Sequence, residues 1–506
     1  MIATLALTAL LFPIPSNDYS TAAASIKAPE LRADVEFLAS DTLQGRATPS
    51  KGLDLAADYI AADFKKAGLR PLSDGTYFQV AQWKQQFRKV DDQRLTFRSG
   101  GQSWEVRGAE IGVSAHFSGA SGTLDSKPIR HIAFSELARA TAESLGPAKD
   151  HVLVVAPPEP DLTEGRVLVQ AMGRAGTVAL EAGVSGVLFL DPANQVGNYD
   201  GRDGGGPTAP NTGSRAIPVL TLLNRQVAEA IARAEGGEIS WSMPESAVRD
   251  VPVRNVIGVL PGSDEALSQT YVLLTAHYDH LGVRPGFGDR IYNGANDNAS
   301  GVAGVMAIAR ALGALTVRPK RSIMFIAWFG EERGLQGANY FVRNPVVPLE
   351  NIIGMVNLEQ IGRTDDSEMP KVKQFEVTGF DLSDLTDSLV AGGETAGIRV
   401  LKHPRNSDAY FGASDNAALA RAGIPAHTVS VAYSFPDYHA PGDHADKLDY
   451  DNMALVTRAI LMGVAHLADR PNAPKWNEDN PRAQNFIEAA KKLRGDPPAP
   501  SRAYLG

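Results

Sequence analysis

Four short apolar runs punctuate the second half of the chain: Tyr271–Ala276, Ser322–Trp328, Ile352–Leu358 and Ala426–Val431. Runs apolar at nearly every position are the mark of strands buried on both faces. Between them, apolar residues recur at helix spacing over Ser300–Leu312, Leu335–Val342 and Asn452–Ala468. Strand and helix in alternation predict a doubly wound α/β sheet. Upstream, Leu31, Val35 and Leu38, then Leu53, Ala57, Ile60 and Phe64, mark helical segments within Pro29–Leu72. Phe78–Val113 alternates apolar and polar residues in short runs and reads as strands.

The texture changes between Gly112 and Asp250. Val152–Val155, Val167–Val169, Gly186–Leu190 and Ile217–Leu220 are strand candidates, with helices over Gly173–Ala182 and Asn224–Ala234. A Gly-, Asn- and Pro-rich loop over Asn194–Ser214 interrupts them. This alternation predicts a compact α/β unit of its own. The predicted division is 1–24, 25–111, 112–250, 251–470 and a Pro- and charge-rich tail at 471–506, with one helix near Phe486–Leu493.

Ile2–Phe12 is too short to span a bilayer comfortably, and Ala22-Ala23-Ala24 before Ser25 gives an A-x-A cleavage pattern. No Lys or Arg precedes Lys27, so the usual positive start is missing. The expectation is an export signal over 1–24 and a periplasmic or extracellular protein with no stable membrane insertion after processing. No other stretch reaches about 18 apolar residues. The formal net charge of −9, without a long basic run, argues against nucleic acid as a partner. The absence of cysteine excludes disulfides, thiolate metal sites and a Cys nucleophile.

Polar residues gather just after the buried strands, at the edge where open α/β sheets bind ligands. They are His277-Tyr278-Asp279-His280, the stretch from Asn293 to Gly301, Glu331-Glu332, Glu359 and Asp437–Asp443. Singly, each has an ordinary reading: a satisfied loop histidine, a helix N-cap, a solvated acidic pair. Together, two His and several carboxylates without Cys suit Zn²⁺. The candidates exceed what one tetrahedral ion needs, and a bridging carboxylate between two ions uses them all. Of two adjacent carboxylates, one can bind metal while its neighbour acts as general base.

The stretches AHYDH, NGANDNASG, FGEERGLQG, NLEQIGR and DYHAPGD resemble the M28 family of co-catalytic zinc aminopeptidases. LRADVEFLASDTLQGR and AADYIAADFKKAGL extend the resemblance upstream. It implies a zinc-peptidase domain holding two Zn²⁺, with His277 on one ion, His439 on the other and Asp297 bridging. Glu332 and Glu359 would complete the two sites, Glu331 would be the general base, and Asp279 would hold the His277 imidazole. Tyr438 stands where similar enzymes place an oxyanion-stabilising phenol. Many family members have Asp where this chain has Glu359. Ser414-Asp415-Asn416 is similar to an SDH-type stretch of the family, which would place it near the active site; Asn416 replaces the usual His, so Asp415 stands only as a doubtful site residue. His280, His403, His427 and His444 are read as structural or surface residues. AGVSGVLFLD and IPVLTLLNRQVAEAI make the 112–250 unit similar to a protease-associated (PA) domain.

The implied function is an exported aminopeptidase that hydrolyses N-terminal residues from peptides or proteins. A carboxypeptidase or dipeptidase on the same site, a single-zinc cyclotransferase and a non-catalytic, receptor-like relative are the alternatives.

Overall fold

The computed structural model describes residues 18–87, 90–113, 122–156, 176–192, 205–206, 217–244, 247–283 and 288–495. The Ile2–Phe12 run, the Val167–Val169 strand and most of the Asn194–Ser214 loop lie outside the described residues. So does the start of the Gly173–Ala182 helix, of which 176–181 are described and helical.

A nine-stranded mixed sheet forms the larger core. Its order is Arg399–Leu401, Gln374–Val377, Ala426–Ser430, Ile352–Leu358, Tyr271–His277, Ser322–Trp328, Ala247–Leu260, Phe78–Phe87 and Gly205–Gly206. Ala426–Ser430, Ile352–Leu358, Tyr271–His277 and Ser322–Trp328 run parallel, while Ala247–Leu260 and Phe78–Phe87 add antiparallel. The apolar runs are explained by cover on both faces. Val272, Leu274, Phe325 and Val356 pack beneath helices Lys51–Lys66, Gly301–Gly313, Leu385–Ala396 and Tyr450–Asp469. Leu273, Met324, Ile326 and Met355 face the other way, against helices Gln336–Arg343, Asn416–Arg421 and Gln484–Leu493.

The C-terminal segment is not the separate tail that its composition suggests. Trp476, Ala483 and Ile487 join the second of these apolar layers, and Trp476 Nε1 donates to the Gly423 carbonyl at 3.0 Å. At the other end, helix Tyr19–Ser25 buries Ala22 and Ala23 in the first layer, and Tyr19 donates its hydroxyl to Asp469 at 2.8 Å.

A second sheet of eight strands has its own cores. Gly122–Ile132, Val152–Val155, Gly186–Leu190 and Val219–Leu222 run parallel at its centre. Val154, Leu188, Leu220 and Ile231 pack on one face, and Leu153, Val187 and Val219 on the other. Arg94–Ser99 and Gln102–Arg107 belong to this sheet, so the second unit starts well before Gly112. Residues Ala247 to Val256 of strand Ala247–Leu260 pair with Phe78–Phe87, so the first sheet resumes at Ala247 rather than after Asp250. Short amphipathic strands look alike in any sheet, and only long-range pairing assigns them.

Candidate metal centre

The chain enters the parallel array at its middle, on Tyr271–His277. It returns on one side as Ser322–Trp328, then crosses to the other side as Ile352–Leu358. Loops leaving neighbouring strands in opposite directions open a crevice at the strands' C-terminal ends. His277 ends the central strand, Glu331 and Glu332 follow Trp328, and Glu359 follows Leu358.

Asp297 is the hub. Its Oδ1 lies 3.3 Å from His277 Nε2, and its Oδ2 lies 3.1 Å from His439 Nε2. Each oxygen of one carboxylate thus faces a different imidazole. Two three-residue groups have donor atoms within 4.8 Å of one another: His277 with Asp297 and Glu359, and His280 with Asp297 and Glu332. His439 Nε2 is also 3.4 Å from Glu332 Oε1. Buried and without a hydrogen-bond partner are His277 Nε2, His280 Nε2, Asp297 Oδ1 and Glu359 Oε2. Buried polar atoms are normally satisfied, so this orphaned set fits divalent cations. Nitrogen and oxygen donors without sulfur fit zinc. The two clusters are consistent with a dizinc site.

The local sequence explains how Asp297 stays free to serve. Its neighbours take the structural tasks that an Asp before a helix would usually perform. Asn298 Oδ1 caps helix Gly301–Gly313 by accepting from Gly301 N at 3.0 Å, and Asn298 Nδ2 donates to the Leu358 carbonyl. Asn296 Oδ1 accepts from Gly362 and Arg363 N. Asp443 accepts from the Asn296 and Asp297 amides at 3.0 Å, tying the His439 loop to the hub. Gly294 sits at φ 62°, where a Cβ would come within 2.2 Å of the Asp297 carbonyl and 2.5 Å of the His280 ring. His439 itself adopts φ 53°, a left-handed conformation that costs a side-chain-bearing residue on the order of 1–3 kcal/mol.

The His277 ring is held differently from the sequence expectation. Its Nδ1 is 3.2 Å from the Asp279 backbone oxygen and 3.7 Å from the Asp279 carboxylate. A carbonyl only accepts, so Nδ1 carries a proton, and Nε2 is the ring nitrogen turned toward the centre. The Asp279 carboxylate instead accepts from Glu331 N and from Thr48 Oγ1, both at 3.0 Å. Asp279 therefore positions Glu331 as well as His277.

The protein groups by themselves drive the adjacent glutamates apart. Burial pushes Glu331 well above the usual carboxylate range, with the charges of Glu359, Asp415 and Glu332 adding to it against the pull of His277. Burial also acts on Glu332, but hydrogen bonds from His280 and His439 outweigh it and draw the group down to about 2. Burial lifts Glu359 to about 7. His439 is opposed by burial, yet its bonds to Asp297 and Glu332 raise it to about 10. These are the signs of a cluster short of positive charge, which cations supply.

All eight residues singled out from the sequence meet here. His277, Asp279, Asp297, Glu331, Glu332 and Glu359 converge at the sheet edge. Tyr438 and His439 reach them from the last loop, with their rings stacked 4.0 Å apart. A cavity of about 360 Å³ opens over Asp297, Glu331, Glu332, Glu359, Tyr438 and His439. His280 is a correction: it is 2% exposed, and its Nδ1 lies 2.8 Å from Glu332 Oε1, inside the site. Its place in AHYDH was the one available signal, and the chain bend after His277 that aims it is tertiary. Asp415 is fully buried with neither carboxylate oxygen hydrogen-bonded, and its charge is felt at Glu331. Asp443 and Arg46, also buried beside the cluster, carried no signal beyond lying in the quoted motifs.

Residues 255–464 match the family described as Peptidase family M28. A probable leucine aminopeptidase 2 of Arthroderma benhamiae is 23% identical over 356 residues, 61% of this chain and 63% of the relative, so the match leaves over a third of that protein's length uncovered. The fold resembles that of BSAP, a zinc aminopeptidase from Bacillus subtilis, with a TM-score of 0.54, 20% identity and coverage of 90% and 98% of the two chains. It also resembles a peptidase M28 precursor from Shewanella amazonensis, with a TM-score of 0.51, 20% identity and coverage of 91% and 97%.

Proposed function

We propose, from the match of residues 255–464 to Peptidase family M28, that this chain is an exported aminopeptidase acting on peptides by a two-metal mechanism. The observation that carries the reading is Asp297, whose two oxygens face His277 and His439 separately. His277, Asp297 and Glu359 would hold one ion. Asp297, Glu332 and His439, with His280 against Glu332, would hold the other. A divalent pair in such a site acidifies a water toward neutral pH and polarises a carbonyl. The chain's own part follows from its side chains. Glu331, held by Asp279 through its backbone amide, accepts the proton of the attacking water on its carboxylate and returns it to the leaving amine. Tyr438 lines the cavity beside His439 and offers its phenol to the developing oxyanion.

The cavity walls bear on which end of a peptide is read. No Lys or Arg lines the cavity among the described residues, while Asp297, Glu331, Glu332 and Glu359 do. A carboxypeptidase needs a side-chain cation for its substrate's carboxylate, and among the described residues this cavity offers none. The zinc-loaded protein should bind two equivalents of metal and hydrolyse peptides with free, not acetylated, amino termini. Equal turnover of blocked peptides, or release of C-terminal residues, would overturn the reading.

The second α/β unit is read as a PA domain, supported by its parallel centre and by the AGVSGVLFLD and IPVLTLLNRQVAEAI segments, whose ends lie on adjacent strands. Export is supported by the Ile2–Phe12 run.

A further inference from the structure

The LASDTLQGR segment, well upstream of the metal-binding loops, ends in a residue that the mechanism above leaves unused. Arg46 is 1% exposed. Its guanidinium touches no carboxylate and donates only to main-chain carbonyls. Nε donates to Tyr278 O at 2.8 Å, Nη1 to Asn293 O at 2.7 Å and to Leu38 O, and Nη2 to Gly294 O at 3.0 Å. Tyr278 directly follows His277. Asn293 and Gly294 open the turn that presents Asp297. Leu38 closes helix Ala28–Leu38, which belongs to the main apolar layer. In return, His280 N donates to the Arg46 carbonyl at 3.3 Å.

We propose that Arg46 is a positioning residue of the metal centre: its guanidinium clasps the His277 loop to the Asp297 turn and anchors both to helix Ala28–Leu38. The proposal rests on the two-metal reading above. Three features carry it. The planar fork of arginine can reach four carbonyls in three segments at once, which a lysine ammonium cannot do. The chain bends sharply to aim it, with Gln44, Gly45 and Arg46 at φ 47°, 67° and 49° in succession. A Cβ on Gly45 would lie 2.4 Å from the Tyr292 carbonyl, so this turn is pressed directly against the strand leading into the Asp297 turn. The charge has a purpose as well as the shape. Burial draws the group down to about 10, while Asp279, Asp297, Asp443 and Glu332 counter that fall, so it stays protonated at neutral pH. A fixed cation that occupies none of their oxygens lets these carboxylates gather while leaving them free for metal.

The test compares wild type, Arg46→Lys and Arg46→Gln by zinc competition against a chromophoric chelator, by the visible spectrum of the cobalt-loaded protein, by kcat and KM at saturating metal, and by metal-free thermal melting. Lysine keeps the charge but loses the fork. Zinc affinity of Arg46→Lys should fall about 10–100-fold, as for other residues that orient metal ligands. Its cobalt spectrum should change, and kcat should fall with KM little altered. Arg46→Gln should be at least as impaired. An Arg46→Lys protein that melts earlier but keeps wild-type zinc affinity and cobalt spectrum would reduce Arg46 to a packing residue and overturn the proposal. So would a variant that fails to fold even with zinc present. Wild-type protein that binds no zinc would instead overturn the two-metal reading on which the proposal rests.

Discussion

At the scale of single residues, Glu331 and Glu332 are chemically identical neighbours separated only by direction. Glu332 points at His280 and His439, which places it in the proposed ligand set. Glu331 is half-buried within reach of the charges of Glu359, Asp415 and Glu332, and its backbone is fixed by Asp279. Glu331→Gln should keep both zinc ions and lose turnover by about 10²–10⁴-fold, because an amide cannot take the proton. Glu332→Gln should release metal, and excess zinc should partly restore it. Metal content beside kcat for both variants decides the matter; metal loss in Glu331→Gln alone would reverse the roles. A second residue gives a pH signature. His427 is buried, its Nδ1 donates to Thr378 O at 2.8 Å, and its Nε2 accepts from Ser383 at 2.6 Å. Burial holds it down to about 4, against an ordinary 6.5. Between those values the unfolded chain binds a proton that the folded chain refuses. The stability from this residue is therefore whole above pH 6.5 and falls as pH drops toward 4, by about 3 kcal/mol in all. Urea unfolding at pH 5 and pH 7 should show a shallower pH dependence in His427→Gln than in wild type; parallel curves would remove His427 as the cause.

At the scale of elements, the helix Tyr19–Ser25 changes an expectation about processing. Ala22-Ala23-Ala24 reads in the sequence as a cleavage site, yet Ala22 and Ala23 are buried in the main core. Tyr19 bonds to Asp469, and Arg458 Nη2 donates to the Ile26 carbonyl at 2.7 Å. Cleavage after Ala24 would discard the hydrogen bond and the buried methyl groups. On the proposed export, the mature protein should therefore begin at or before Asp18. Terminal sequencing of protein from the native host checks this, and a start at Ser25 would show the helix to be dispensable. The opposite end behaves alike: Gln484–Leu493 was legible as a helix, but its docking beside Trp476 was not.

At the scale of the whole molecule, Phe87 pairs with Ala247, so apart from the two-residue edge strand Gly205–Gly206 the chain leaves and re-enters the first sheet at adjacent strand ends. Replacing residues 88–246 by a tight turn should leave the proposed zinc centre intact, because His277, Asp297, Glu332, Glu359 and His439 all come from the first sheet and its loops. The excised protein should still melt cooperatively and bind two zinc ions; failure to bind metal in a folded product would mean that the second unit supports the site. Zinc should also stabilise the intact chain against heat, by about 4 kcal/mol for a site at 1,000 times its dissociation constant. A melting temperature unmoved by zinc or chelator would contradict the metal centre.

The sequence by itself determined the elements whose signal is local. The continuous apolar runs at Tyr271–His277, Ser322–Trp328 and Ile352–Leu358 mark burial on both faces, and helix spacing marks Gly301–Gly313 and Tyr450–Asp469. The ligand candidates were legible for the same reason: a parallel sheet delivers the ends of its strands to one edge, so polar residues just past buried strands must meet. Tertiary structure alone decided what depends on direction or on distant partners. Arg94–Ser99 and Gln102–Arg107 could pair with either sheet until their neighbours were known. His280 lies three residues beyond His277, and only the bend after the strand turns it into the site. The Asp279 carboxylate went to Glu331 N and Thr48, while its backbone carbonyl took the nearer place beside His277. Arg46 shows nothing of its role in spacing or pattern, because every group it holds is a backbone carbonyl, and those are written identically at every position of the chain.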